Sequence, residues 1–210
     1  MIRVFIADDH AVVREGVKHI FSEIPDIKIA GEACNGQEVL ENMGKKDFDL
    51  LLLDIAMPGR DGLEVLKEVK TQKPKLPVLI LSMFPEEQYA LRALKSGASG
   101  YLTKDSIPNE LVKAVRKIQK GGKYISAAFS EKLVTELTSY TSKPLHERLS
   151  DREYQIMRMI ASGKTMNEIS GELSLSSKTI YTYRARVLEK MEMKNNIELT
   201  RYATKHGLID

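Results

Sequence analysis

Leu50-Leu51-Leu52-Leu53-Asp54 is the stretch on which the fold turns. Four consecutive leucines offer no polar face, so a run this short and this apolar reads as a strand covered on both sides, as in a parallel sheet. The pattern recurs on either side of it. Ile2-Arg3-Val4-Phe5-Ile6-Ala7 runs into Asp8-Asp9, Val78-Leu79-Ile80-Leu81 into Ser82, and Gly100-Tyr101-Leu102-Thr103 into Lys104. As parallel strands, these runs project all of those polar groups from one sheet edge. In open α/β sheets that edge is where ligands and chemistry sit.

Outward from these runs, residues 1 to 120 alternate strand-like and helix-period segments. Strands are expected at 27–33, 49–54, 77–82 and 99–103, and helices at 36–43, 62–71, 86–96 and 107–119. The first helix, His10 to Ile24, places Val13, Val17, Ile20, Phe21 and Ile24 on one face. Pro25, Pro58, Pro77, Gly97 and Gly100 mark boundaries. The expectation is an α/β doubly wound, five-stranded parallel sheet over 1–120, helices on both faces. Gly121-Gly122 closes it, and residues 121–147 read as a linker holding one helix, 126–138, then a flexible stretch from Thr138 to Pro144.

A small all-α domain of four helices is expected over 148–210. Ser150-x-x-Glu153 and Thr165-x-x-Glu168 are capping boxes that start helices near 151–162 and 166–173. Ser176 caps a longer helix, 177–191, and a last helix near 196–205 follows Asn195 and stops at Gly207.

Composition narrows the class. With 210 residues, a net charge of +3, one cysteine and no long apolar span, the chain reads as a soluble cytoplasmic protein without internal disulfide or membrane partner. Cys34 is expected to be a buried, inert thiol at a strand end. The charge is too mild to argue nucleic-acid binding by itself.

Asp8, Asp9 and Asp54 converge where the strand order reverses. Three carboxylates this close repel unless a cation neutralises them, and Mg²⁺ suits an all-oxygen donor set. An ionised Asp54 then attacks a phosphoryl donor to give an aspartyl phosphate, with Lys104 and Ser82 placed for the incoming oxygens. Haloacid-dehalogenase-type phosphatases also use an aspartate at a strand end, with a second acid two residues on. Here that position is Ala56, so a switch is expected rather than an enzyme. His10 reads as an ordinary helix-start residue.

With Asp8-Asp9, Asp54, Ser82, Tyr101 and Lys104 in place, residues 1–120 resemble a CheY-like receiver domain. The resemblance implies that Asp54 is the phosphoacceptor, that Asp8, Asp9 and the Ala56 carbonyl help it hold Mg²⁺, and that Ser82 and Tyr101 form a switch pair. One departure touches the loop geometry: Asp105 follows Lys104 where many receivers carry a cis proline.

Residues 148–209 resemble a LuxR-type helix-turn-helix domain. The matching residues include Leu149-Ser150-x-Arg152-Glu153, Gly163, Glu168-Ile169, Lys178-Thr179-Ile180, Leu188-x-Lys190-Met191 and His206-Gly207-Leu208-Ile209. The whole chain is similar to NarL/FixJ-type response regulators and looks closest to their GacA/UvrY branch. On the 177–191 helix, Ile180, Tyr183, Val187 and Met191 form an inward stripe. Lys178, Thr182 and Ala185 face the other way, flanked by Tyr181 and Arg186, while Arg184 reads as a structural bridge. Four basic residues stand against one acid between Ser176 and Lys190.

By the resemblance, base-reading positions fall on Tyr181, Thr182 and Ala185, while Lys164, Ser177, Lys178 and Lys190 meet phosphates. Tyr183 replaces a common histidine, and Ala185 occupies a site often basic. Met166 and Asn167 depart from a frequent Asn-Lys at their helix start. The first two departures shift the expected readout toward thymine methyl contact and DNA shape, and the one at 166–167 removes a basic contact to the DNA backbone. The implied partners are a sensor histidine kinase, double-stranded DNA and a second copy of the chain on phosphorylation, with RNA polymerase as a further candidate. The competing readings are a regulator that works without phosphorylation and a phosphotransfer or protein-interaction module whose helical domain does not bind DNA.

Overall fold

The computed structural model describes residues 1–45, 47–138 and 144–209. The chain divides into two compact units, Met1–Glu131 and Lys132–Asp210. The first holds strands β1 (Ile2–Ala7), β2 (Ile27–Ala33), β3 (Leu50–Asp54), β4 (Val78–Ser82) and β5 (Gly100–Thr103). Between and after them come helices α1 (Ala11–Ser22), α2 (Gly36–Asn42), α3 (Gly62–Gln72), α4 (Glu86–Lys95) and α5 (Ile107–Gln119). All strands pair in parallel in the order β2-β1-β3-β4-β5.

The leucine run behaves as its composition requires. Every residue of β3 and of β4 is buried, because helices cover both faces of the central strands. Edge strand β2 instead mixes buried, half-buried and exposed positions. On α1, Val17 and Phe21 are buried, and Val13 and Ile20, with Ile24 just past its end, pack partly buried against the same core. Val4 pairs with Leu50 and Ala7 with Leu53 across β1 and β3, and Asp54 stands opposite Leu81 of β4. This register brings Asp8, Asp54 and Ser82 to one edge.

Cys34 corrects the expectation of a buried thiol: it is exposed. Ala33, the last residue of β2, points inward and is fully buried. The alternation of a strand therefore turns Cys34 outward, where its backbone N–H donates to Glu38 Oε2 at 2.8 Å. The loop after Lys104 keeps trans peptide bonds and closes as a short 3₁₀ turn, Lys104–Ser106.

Helix α6 (Ala127–Thr138) starts in the first unit, and the division into units falls within it. The expected flexible stretch lies for the most part, at 139–143, outside the described residues. The second unit contains a 3₁₀ turn, Leu145–Arg148, and helices α7 (Asp151–Ala161), α8 (Met166–Leu173), α9 (Ser177–Lys190) and α10 (Asn196–Lys205). Both capping boxes form: the Ser150 and Thr165 side chains accept from the backbone N–H of Glu153 and Glu168, whose carboxylates accept from the cap N–H in return. Ser174, at φ 53°, makes the left-handed turn that reverses the chain between α8 and α9. Ile160, Ile169, Ile180, Val187, Met191 and Leu199 are buried from all four helices.

Candidate functional site: a charged sheet edge and an exposed helix

Four of the five strands hand one polar group to the C-terminal edge. Asp8 follows β1, Asp54 ends β3, Ser82 ends β4 and Lys104 follows β5. Asp8 and Asp54 are 0% exposed, and the Lys104 side chain is 5% exposed. Lys104 Nζ donates to Asp54 Oδ2 at 2.7 Å and forms an ion pair with Asp8 Oδ2 at 2.8 Å. One buried ammonium thus bridges two buried carboxylates, an arrangement that tolerates burial only because the charges meet. Burial works to lower the Lys104 pKa, but the pull of Asp54 and Asp8 outweighs it and holds the ammonium above its ordinary value. Asp54 moves up as well: burial and the neighbouring Asp8 charge raise it more than Lys104 and the Ala56 N–H lower it.

The carboxylates of Asp8, Asp9 and Asp54 and the His10 ring each offer a ligand atom, all within 4.8 Å of one another. Asp8 Oδ1 accepts the backbone N–H of His10 at 2.9 Å, and His10 Nδ1 lies 2.8 Å from Asp9 Oδ1. Asp54 Oδ1 accepts the Ala56 N–H at 3.1 Å. The donor set fits a hard divalent cation: three carboxylates gather around one ammonium and leave surplus negative charge.

The structure adds residues that the sequence reading missed. Arg14 Nη1 donates to the Asp8 carbonyl at 2.8 Å, bracing the end of β1 from α1. Gly62 opens α3 against the end of β3, where an added Cβ would stand 2.2 Å from the Asp54 carbonyl oxygen and 2.6 Å from Ile55 Cα. Its position directly after the N-cap Asp61 was the available signal. Phe84 joins the two expected switch residues through its backbone. Its N–H donates to Ser82 Oγ at 3.1 Å, and its carbonyl accepts the Tyr101 hydroxyl at 2.8 Å. The Tyr101 ring is fully buried.

The second unit presents a different surface. Ile180, Val187 and Met191 are buried and Tyr183 is half-buried, matching the inward stripe of α9. Lys178, Thr182, Ala185 and Arg186 are exposed, and Tyr181 is 58% exposed. Thr182 donates its hydroxyl back to the Lys178 carbonyl at 3.0 Å. Arg184 Nε reaches Asn196 Oδ1 at 2.8 Å and bridges α9 to α10. Two of the expected phosphate contacts are already engaged within the unit. Lys164 pairs with Glu172 and Lys190 with Glu153, each at 2.6 Å. Ser177, half-buried, lies 3.4 Å from Asn167 Oδ1.

Comparison with known proteins agrees with both halves. A family described as "Response regulator receiver domain" matches residues 4–116, and one described as "Bacterial regulatory proteins, luxR family" matches residues 147–203. The chain is 34% identical to the response regulator UvrY of Escherichia coli (strain K12) over 209 residues, covering 99% of this chain and 96% of that one. It is 36% identical to the response regulator GacA of Pseudomonas protegens over 210 residues, covering 100% and 99%. Among solved structures it resembles RcsB from Salmonella enterica serovar Typhimurium bound to promoter rprA in the presence of phosphomimetic BeF3⁻. That match has a TM-score of 0.67 at 28% identity, covering 97% of this chain and 99% of that one. Two RcsB dimers bound to two parallel DNAs form another match, at a TM-score of 0.60, 29% identity and coverage of 97% and 98%. The chain belongs to the response regulators that join a receiver domain to a LuxR-type DNA-binding domain and regulate transcription.

Proposed function

We propose that Asp54 is the phosphoacceptor of this regulator and that a sensor histidine kinase supplies the phosphoryl group. The observation that carries the proposal is the buried bridge from Lys104 to Asp54 and Asp8 at the sheet's C-terminal edge. An Asp54 carboxylate oxygen attacks phosphorus, the P–O bond forms, and the P–N bond to the kinase histidine breaks with the electron pair leaving on nitrogen. Lys104 is within reach of the oxygens that gather charge, and Ser82 at the end of β4 offers a hydroxyl donor. Asp8, Asp9, Asp54 and the Ala56 carbonyl would hold Mg²⁺, which when bound supplies positive charge against the phosphoryl oxygens. Ser82 and Tyr101 act as the switch pair.

The receiver spans 1–120 and the helix-turn-helix domain 148–210, joined by 121–147, and phosphorylation favours a homodimer that binds double-stranded DNA. Helix α9 enters the major groove with Tyr181, Thr182 and Ala185 toward bases and Ser177 and Lys178 toward phosphates. Lys164 and Lys190 exchange their glutamate partners for phosphates on binding. No helix of the described residues is long and apolar enough to cross a membrane.

The test is intact mass and solution molar mass with Mg²⁺ and acetyl phosphate, beside Asp54→Asn. One added phosphoryl group, absent from the variant and accompanied by dimers, is the expected result. A chain that never gains the group yet binds DNA specifically would overturn the proposal in favour of a phosphorylation-independent regulator.

A further inference from the structure

Strand β5 is the last strand of the sheet, so one of its edges has no strand partner. The chain that leaves α5 returns to cover that edge. Tyr124 bridges to Gly100 in parallel sense: the Tyr101 N–H donates to the Tyr124 carbonyl at 2.8 Å, and the Tyr124 N–H donates to the Ser99 carbonyl at 3.0 Å. Gly100 makes the approach possible, because a Cβ there would stand 2.6 Å from the Tyr124 carbonyl oxygen.

Side chains hold the returning segment at three points, the first being Lys123, whose ammonium donates to the Ala98 carbonyl. Glu110 of α5 accepts the Tyr124 hydroxyl. Glu86, the first residue of α4, accepts both the Ser126 hydroxyl and, at 3.0 Å, the Ser126 N–H. Ser126 in turn starts α6, since its Oγ accepts the Phe129 N–H at 3.1 Å and its carbonyl accepts the Ser130 N–H at 3.0 Å. Phe129 is 5% exposed.

The segment adjoins the switch pair at the Tyr124 backbone and at Glu86. Tyr101 grips the segment through its backbone N–H and grips Phe84 through its hydroxyl. Phe84 hangs by its N–H from Ser82 Oγ, and Glu86 lies two residues further on. Were the Ser82 hydroxyl drawn toward a phosphoryl group on Asp54, its bond from the Phe84 N–H would stretch and pull on Glu86 two residues further on. A cleft of about 440 Å³ between the segment and the starts of α4 and α5 leaves room for Glu86 to move.

We propose that residues Lys123–Phe129 form a strap over β5 that reports the state of the switch pair to α6, seated while Asp54 is unmodified and loosened when it is phosphorylated. Glu86 is the positioning residue that connects the two. The inference rests on Asp54 being the phosphoacceptor.

Hydrogen exchange with mass spectrometry on the full chain, with and without acetyl phosphate and Mg²⁺, tests it while intact mass reports phosphorylation. Peptides over 121–131 should exchange about tenfold faster once the phosphoryl group is gained. Glu86→Ala should show the fast exchange without acetyl phosphate, gain the phosphoryl group normally, and change little on gaining it. Tyr124→Phe, which keeps the ring but removes the bond to Glu110, should loosen the strap partway. A chain that gains the phosphoryl group with unchanged or slower exchange at 121–131 overturns the strap and leaves the phosphoacceptor standing. So does a Glu86→Ala variant whose strap exchanges as in the parent. A chain that gains no phosphoryl group overturns the phosphoacceptor reading, and the strap with it.

Discussion

Lys104 and Lys178 are both expected to meet phosphoryl or phosphate oxygens, and the fold treats them in opposite ways. Lys104 is buried and bridges two buried carboxylates. Lys178 stands exposed in the first turn of α9. At the sheet edge the charges are preorganised: they sit in a buried site where each interaction is strong and each removal leaves a partner stranded. On α9 the charges stay in water until a polyanion arrives, so their contribution is realised on binding and is screened by salt. Lys164 and Lys190 fall between these extremes, partly exposed but already held by Glu172 and Glu153.

The contrast predicts effects of very different size. Lys104→Ala should be the most disruptive, costing about 3 kcal/mol because it leaves two buried carboxylates without their shared cation. Urea denaturation of the first unit's transition reads this, and phosphorylation of the variant should no longer drive dimers. A Lys104→Ala protein as stable as the parent, or one that still dimerises fully on phosphorylation, would break the comparison at its buried end.

Gly62→Ala tests whether the pocket depends on close packing as much as on charge. The added Cβ meets the Asp54 carbonyl, so a loss of about 2 kcal/mol is expected in the same denaturation measurement. Acetyl phosphate should also label the variant more slowly. On the exposed side, Lys178→Ala should leave stability unchanged. It should flatten the dependence of log Kd on log salt by about one phosphate contact, measured on one duplex across salt concentrations. Lys190→Ala should flatten it less, because its ammonium gives up Glu153 to reach DNA. Equal slopes for the two variants would remove the distinction between held and free lysines.

The smallest effect concerns acid. Burial tends to raise the Glu153 pKa, but the bonds from Lys190 and the Ser150 backbone outweigh it and bring it below the ordinary 4.5. A carboxylate lowered by folding stabilises the folded state above its unfolded value and loses that contribution as pH falls through the folded one. The second unit should therefore weaken below about pH 4.5, read as helical circular dichroism against pH. Glu153→Gln should flatten that dependence.

What the sequence determined about this protein is local or repetitive. Four apolar runs, each ending in a polar group, specified strands buried on both faces and the edge from which Asp8, Asp54, Ser82 and Lys104 project, because strand direction carries every such ending to the same side. The two capping boxes and the inward stripe of α9 were legible for the same reason: each is settled within a few residues of chain. Tertiary structure decided the pairings. Lys104 finds Asp54 across 50 residues, Lys190 finds Glu153 across 37, and Ser126 finds Glu86 across 40. Long flexible side chains take whichever partner packing brings within reach, and no spacing in the sequence encodes that choice. Cys34 turned outward on the same principle, since the side a strand-end residue faces follows from what the sheet packs against and not from the residue's own apolarity.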